Sequence, residues 1–252
     1  MKIQVLGCAG AEFPGFNPPA FLLDGVILLD AGTTGAVLTA AEQERISHIL
    51  LTHAHLDHVR GIPFLADNIV VANRLQSLQV LAIPEVIAVL RHHLLNGLLW
   101  PDFSVIPSPE APAVIYRPIV PGETFEVAGY SVRAVPVHHS VPAVGYVVSR
   151  GGKSFLYSGD TGPTDQLWLA ASGLDAMVVE VSFPNEMEEM AITTGHLTSR
   201  LLAGELAKVR DLPPHIYVTH PKPQHYEQIL RELADCGVLQ LELLHDGMTI
   251  EL

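Results

Sequence analysis

Between Thr52 and His58 the chain sets three imidazoles and a carboxylate, His53, His55, Asp57 and His58, within six consecutive positions. Nitrogen and oxygen donors of this kind suit zinc and similar divalent ions, and a His-x-His pair aims alternate side chains at one point. The spacing also suits two ions. His53 and His55 can take one, while Asp57 and His58, pointing elsewhere on the turn, take its neighbour. Two metals about 3.5–4 Å apart are a common device for clamping the attacking and leaving oxygens of a hydrolysis. A polar loop that merely happens to be rich in histidine is the bland alternative, and the density of donors argues against it.

These residues need a rigid edge to stand on. The apolar run Ile46-Ser47-His48-Ile49-Leu50-Leu51 reads as a buried strand, so the histidines fall where it ends and the chain turns over the rim of a sheet. Other strand ends supply further candidates. Tyr130–Val135 runs toward His138 and His139, of which strand alternation lets only one face the site. Ser154–Tyr157 leads to Gly159-Asp160-Thr161-Gly162, where Asp160 lies between small residues and can approach and bridge two ions. Ile216–Thr219 ends in His220. Asp30 closes a hairpin, Ala20–Leu23 and Val26–Leu29 about Asp24-Gly25, and can either hydrogen-bond a ligand histidine or cap the turn.

Hairpin followed by acidic, Gly-rich turn recurs around Gly151-Gly152 and Asp160. This weak repeat predicts one domain over 1–252 built from two related halves, roughly 1–105 and 122–252, joined through the Pro-rich stretch Ile106–Pro121. Pro84 opens a predicted amphipathic helix through Leu95, with Asn96-Gly97 able to end it. Its His92 and His93 are expected to be surface or core residues, not ligands. The apolar Leu94, Leu95, Leu98, Leu99 and Trp100 predict that Pro84–Phe103 covers the mouth of the site or a subunit interface, which would make a homodimer. A helix is expected from about His196 to Val209, another from Glu227 to Ala234, and a terminal strand pair about Asp246-Gly247.

With 252 residues, 48% of them hydrophobic and 16% charged, the chain can bury a large core and has no disordered composition. Its net charge of −13, without a Lys/Arg cluster, disfavours a long nucleic acid held by its phosphates. A small anionic substrate remains acceptable because metal ions would offset the local charge. Cys8 and Cys236 do not make a disulfide framework. The first residues alternate like a strand, and no apolar run reaches the roughly 20 residues of a membrane span, so a cytoplasmic location and no membrane partner are expected.

The motif His53-x-His55-x-Asp57-His58 resembles the H-x-H-x-D-H signature of the metallo-β-lactamase superfamily. The resemblance implies an α+β fold, a four-layered αβ/βα sandwich of two mixed sheets flanked by helices, with a binuclear metal site at one edge. Ribonuclease Z-like members place a ligand His six residues before a Gly-Tyr pair, which selects His139 ahead of Gly145-Tyr146. Several stretches are similar to class II cyclic-nucleotide phosphodiesterases: Thr52–His58, Leu90–Phe103 with its pattern at His93–Phe103, Ser158–Trp168, Val179–Asn185, Gly195–Thr198 and Tyr217–Pro223. The chain departs from that pattern at Leu95, where an aromatic is expected, and at Asn17–Ala20, which lacks a Thr-Ser.

What the resemblance implies is a 3′,5′-cyclic-nucleotide phosphodiesterase, with cyclic AMP foremost, that forms a nucleoside 5′-monophosphate through a metal-bound hydroxide. The ligands would be His53, His55, Asp57, His58, His139, Asp160 and His220, with Asp57 also orienting the attacking water. Two divalent ions are expected, Zn²⁺ by the donor set, with Mn²⁺ or Fe²⁺ able to use the same groups. Relatives use a Glu–His pair to protonate the leaving oxygen, which assigns that task to Glu180 and His196. Alternatives are a ribonuclease Z-like or other hydrolase on the same fold, a lactonase or thioesterase included, and a metal-free binding protein on a decayed hydrolase fold.

Overall fold

The computed structural model describes residues 1–72 and 76–252. Two seven-stranded mixed sheets face each other, each carrying helices on its outer side. The first half opens with antiparallel β1 (Lys2–Gly7), β2 (Ala20–Leu23) and β3 (Ile27–Leu29), the last two joined by the Asp24-Gly25 turn. Both turn residues have positive φ, 45° and 75°, which asparagine-like and glycine residues tolerate. The chain then crosses over through α1 (Ala40–Gln43) to β4 (His48–Leu50) and through α2 (Leu56–Val59) and α3 (Ile62–Val71) to β5 (Leu78–Ala82). Helix α4 (Pro84–Val89) continues as a π-helical turn, Leu90–Leu94, and Gly97 lies beyond it at φ 76°.

The Pro-rich stretch does more than connect. After a short hairpin, β6 (Pro107–Ser108) and β7 (Ala111–Pro112), it contributes β8 (Val114–Pro118), which pairs parallel with β5 as the edge of the first sheet.

The second half repeats the plan. Antiparallel β9 (Thr124–Val127), β10 (Tyr130–Pro136), β11 (Val144–Arg150) and β12 (Lys153–Tyr157) lead through α5 (Gln166–Ala170) to parallel β13 (Ala176–Glu180). The helices α6 (Glu188–Thr194) and α7 (Ser199–Leu206) bridge to β14 (His215–Thr219), and α8 (Tyr226–Asp235) bridges to β15 (Leu241–Leu243).

Two expectations are corrected here. His196 does not start a helix, because α6 ends in the left-handed Gly195 and α7 starts only after Thr198, whose hydroxyl accepts the Leu201 N–H. The terminal strands do not pair with each other. β15 lies beside β14, while β16 (Thr249–Glu251) crosses to the first sheet and pairs antiparallel with β1. The turn at Asp246-Gly247 thus steps between sheets: the free edge of β1 offers backbone groups that β16 must satisfy.

Strand parity sets the layers. Phe155, Tyr157, Val178 and Tyr217 join the core between the sheets, whereas Leu156, Val179 and Val218 pack outward with Leu202, Leu206, Ile229 and Leu233 of α7 and α8. A parallel sheet covered on both faces needs such unbroken apolar runs. Among the described residues no helix is long and apolar enough to cross a membrane.

Candidate metal centre

The strands β3 and β4 of the first sheet and β10, β12, β13 and β14 of the second end at one rim of the sandwich. From that rim come Asp30, His53, His55, His139, Asp160, Glu180 and His220, while α2 carries Asp57 and His58. The backbone bends hard to deliver two of them: Asp30 and His220 hold φ of 55° and 69°. Non-glycine residues in that region carry strain that the surrounding structure must sustain. For His220 the N–H donates to Cys8 O at 2.6 Å; for Asp30 it donates to Leu50 O at 3.0 Å. Gly159, at φ 58°, lets the turn before Asp160 pass Thr52, whose Cβ would lie 2.7 Å from any side chain added there.

All seven residues expected as ligands converge. His53, His55, His139 and Asp160 form one group and Asp57, His58 and His220 another, with donor atoms inside each within 4.8 Å of one another. Asp160 lies between them. Its Oδ2 is 3.6 Å from His53 Nε2 and 3.3 Å from His220 Nε2, and its Oδ1 is 3.3 Å from His58 Nε2. Asp160, His196 and His220 make a third such grouping.

The chemistry of these donors fits cations. His58 Nδ1 lies 2.8 Å from the Asp30 carboxylate and donates to it, so in the neutral ring Nε2 is the ligating nitrogen, and it faces His220 Nε2 at 3.4 Å. Likewise His139 Nδ1–H donates to Gly195 O at 2.8 Å, leaving its Nε2 lone pair 3.1 Å from His55 Nδ1. The Nε2 of His53 is buried with no hydrogen-bond partner. Converging lone pairs and an orphaned buried nitrogen are what a cation site requires.

Electrostatics agree. Burial works against a charged His58, but Asp160 and Asp30 overcome it and push the imidazole well above its ordinary value, so without a cation the ring holds a second proton, on Nε2, which a bound cation would displace. Burial holds His53, His55 and His139 below theirs. Burial would raise Asp57 and Asp160; the surrounding histidines outweigh it and hold both carboxyls low. Ionised carboxylates among these imidazoles make a field that draws positive charge.

A second carboxylate layer stands outside. Asp30 accepts from Thr52 N–H, Thr52 Oγ1–H, Tyr157 O–H and His58 Nδ1–H, each at 2.8 Å. Glu180, fully buried, accepts from His196 Nδ1–H at 2.7 Å and from Thr161 N–H at 2.9 Å. Burial opposes the charge on His196, but Glu180 raises it above its ordinary value. The ring stacks on His220, centroids 5.5 Å apart. Gly195 is required beside it, since a Cβ there would lie 2.8 Å from His139 Cα.

The neighbouring residues also find their places. His138 is exposed, as are His92 and His93. A cleft of about 690 Å³ borders His139, lined in part by Ile83, Pro84, Glu85, Val120 and Pro142. Only the first turn of Pro84–Phe103 reaches it; Leu94 and Leu95 are buried, Trp100 packs on Phe64, and Leu98 is 92% exposed. Thr52, Tyr157 and Ser182, which hold the carboxylate layer, carry no motif of their own; only their adjacency to the motifs points to them.

A model of the β-lactamase superfamily domain matches residues 26–221, and the chain belongs to the metallo-β-lactamase superfamily. Within it, the chain is 26% identical over 220 residues to a probable 3′,5′-cyclic-nucleotide phosphodiesterase of Yersinia pestis, covering 76% of this chain and 62% of that protein. It therefore spans about three fifths of that relative's length. A ribonuclease Z of Bradyrhizobium sp. (strain ORS 278) is 26% identical over 227 residues, 69% of this chain and 73% of its own. Unliganded yeast PDE1 shares the fold at TM-score 0.82 and 18% identity, over 100% of this chain and 99% of its own. The short form of human tRNase Z does so at 0.74 and 19%, covering all of this chain and 99% of its own.

Proposed function

We propose that the chain is a binuclear metal-dependent phosphodiesterase that hydrolyses a 3′,5′-cyclic nucleotide, cyclic AMP foremost, to the nucleoside 5′-monophosphate. The observation that carries this reading is the buried Glu180–His196 pair, 2.7 Å apart, against the ligand cluster. A lactonase or thioesterase has no need of a held imidazolium, whereas a phosphodiester must shed an alkoxide. The similarity to a probable cyclic-nucleotide phosphodiesterase supports it as well.

His53, His55 and His139 would hold one ion and Asp57, His58 and His220 the other, with Asp160 lying between the two groups. Zn²⁺, which suits this donor set, would supply Lewis-acid polarisation of the phosphate and a water whose pKa is lowered toward about 7. Asp57, its side chain 29% exposed where Asp160 is 3% exposed, would orient the attacking water and take its proton. His196, held through Nδ1 by Glu180, turns Nε2 to the departing ribose oxygen and protonates it.

A ribonuclease Z-like nuclease is the second reading, favoured by the ribonuclease Z relatives. The net charge of −13 weighs against a long RNA and for a small nucleotide partner. Turnover of cyclic AMP, cyclic GMP, bis(p-nitrophenyl) phosphate and a tRNA precursor, with metal counting on the same sample, decides between them. Two ions per chain with cyclic-nucleotide turnover is the expected result. One ion in fully active protein, full metal content in Asp160→Ala, or turnover confined to the tRNA precursor would overturn it.

A further inference from the structure

Beyond the end of β13 the chain passes through Val181 to Ser182, which is fully buried. Its Oγ lies 2.8 Å from His220 Nδ1, 3.0 Å from Glu180 Oε2 and 3.1 Å from His196 Nδ1. One hydroxyl therefore touches a residue of the ligand cluster and both members of the acid pair. Its position is fixed by the backbone: Ser182 N–H donates to Leu197 O, and Lys222 N–H donates to Ser182 O. The other donors to Glu180 are Thr161 N–H and His196 Nδ1–H at Oε1, and Leu197 N–H at Oε2.

A hydroxyl has one proton to give, and here two acceptors compete for it. When His220 carries its ring proton on Nε2, the Nδ1 lone pair accepts from Ser182. When His220 gives its Nε2 lone pair to a cation, the ring proton sits on Nδ1, and Nδ1–H donates to Ser182 Oγ. The serine proton must then turn to Glu180 Oε2. His220 Nε2 is the nitrogen a cation would claim, since it faces Asp57 Oδ2 at 3.5 Å and Asp160 Oδ2 at 3.3 Å.

We propose that Ser182 is a positioning residue that couples the ligand cluster to the acid pair: a cation taken up at His220 turns the Ser182 hydroxyl onto Glu180, completing the four-donor shell of the carboxylate that holds His196. The coupling is reciprocal, so weakening the Ser182–Glu180 bond weakens the hold on that cation. A ligating histidine ordinarily gives its second N–H to a carboxylate, a carbonyl or water. Here it gives that proton to a hydroxyl with a second obligation. The rate effects rest on the phosphodiesterase reading above; the binding effects do not.

The test is Zn²⁺ affinity, measured by competition with a chromophoric chelator, in Ser182→Ala, Ser182→Thr, Glu180→Gln and the double variant Ser182→Ala/Glu180→Gln. Ser182→Ala should bind one of two ions about 10–100-fold more weakly. Ser182→Thr, which keeps the hydroxyl, should restore most of that affinity. Glu180→Gln should weaken the same ion, and the double variant should lose less than the sum of the two single losses. On a cyclic nucleotide Ser182→Ala should lower kcat more than it raises KM. Nitrogen-15 spectra of the wild-type protein add a readout that needs no variant: the His220 proton sits on Nδ1 with Zn²⁺ and on Nε2 without it. Unchanged affinity in Ser182→Ala, additive losses, or an unprotonated Nδ1 in the zinc-loaded protein would each overturn the proposal. A wild type that binds Zn²⁺ yet cleaves no phosphodiester overturns the functional reading instead, and the affinities and spectra still decide the role of Ser182.

Discussion

Two buried carboxylates at strand ends do the same thing in the two halves of the molecule, with different outlets. Asp30, after β3, holds His58 through Nδ1; Glu180, at the end of β13, holds His196 through Nδ1. Each carboxylate is fully buried and each accepts backbone and hydroxyl donors besides the imidazole. The far nitrogen of His58 faces Asp160 and His220 inside the cluster, and the His58 side chain is 0% exposed. His196 stays 10% exposed at the side chain and stacks on the rim of the cluster. Under the proposed function a carboxylate-held imidazole would serve as a ligand where its second nitrogen faces the cluster, and as a proton donor where it stands at the rim. Position, not residue type, divides the roles.

The sharpest way to break this comparison is to remove the outlet on the second side. His196→Ala should keep both metals, counted by elemental analysis, and lose about 10²–10⁴-fold in rate on a cyclic nucleotide. The loss on bis(p-nitrophenyl) phosphate should be smaller, because nitrophenolate leaves with little protonation. Equal losses would make His196 a phosphate binder or a structural residue. Loss of metal would put it among the ligands, through the grouping it forms with Asp160 and His220.

On the first side the corresponding change is Asp30→Asn. The amide cannot accept with both oxygens from Thr52, Tyr157 and His58, so the His58 ring loses its anchor. Metal affinity should fall about 10–100-fold, measured by chelator competition. Wild-type affinity in this variant would mean that the fold alone aims His58.

Much of this centre is legible in the sequence, because its residues sit at the ends of strands that local pattern announces. The H-x-H-x-D-H run follows an apolar strand, and Asp30 follows a hairpin whose Asp-Gly turn is a local signal. The seven-residue convergence could be read from strand ends plus the resemblance. The Glu180–His196 pair required the resemblance, since residues on separate elements show no periodicity in common. The roles of Ser182, Tyr157 and Thr52 could not be read, although each lies beside a motif: each is an ordinary residue at or just past a strand end whose hydrogen bond is made across the fold. The partners of β15 and β16 were hidden for the same reason, because Asp246-Gly247 specifies a turn but not which sheet receives the next strand. The break between α6 and α7 did have a signal, Gly195 as a left-handed terminator and Thr198 as a cap.

The pH dependence sharpens the contrast at lower cost. Glu180 raises His196, so the protonated donor persists above the usual imidazole range and activity is lost as pH rises through the raised value. Glu180→Gln removes the raising charge while burial, which lowers the value, remains. The alkaline limb of the kcat/KM profile should therefore move to lower pH. A limb that stays in place belongs to another group.

The smallest expected effect comes from Tyr157→Phe, and it asks whether the four donors of Asp30 act as a set. The Tyr157 hydroxyl is one of them, at 2.8 Å, on a strand that belongs to the opposite sheet from Asp30. Phenylalanine keeps the ring in the intersheet core, where it packs on Phe21 at 5.0 Å, so no cavity opens. What is lost is one hydrogen bond to a buried carboxylate that retains Thr52 and His58. That should cost about 1.5–3 kcal/mol of stability in a denaturant titration. It should weaken metal binding only slightly, since His58 still has its acceptor. A loss of metal affinity as large as that of Asp30→Asn would show that the tyrosine, bridging the sheets, is what holds the Asp30 carboxylate in its strained turn.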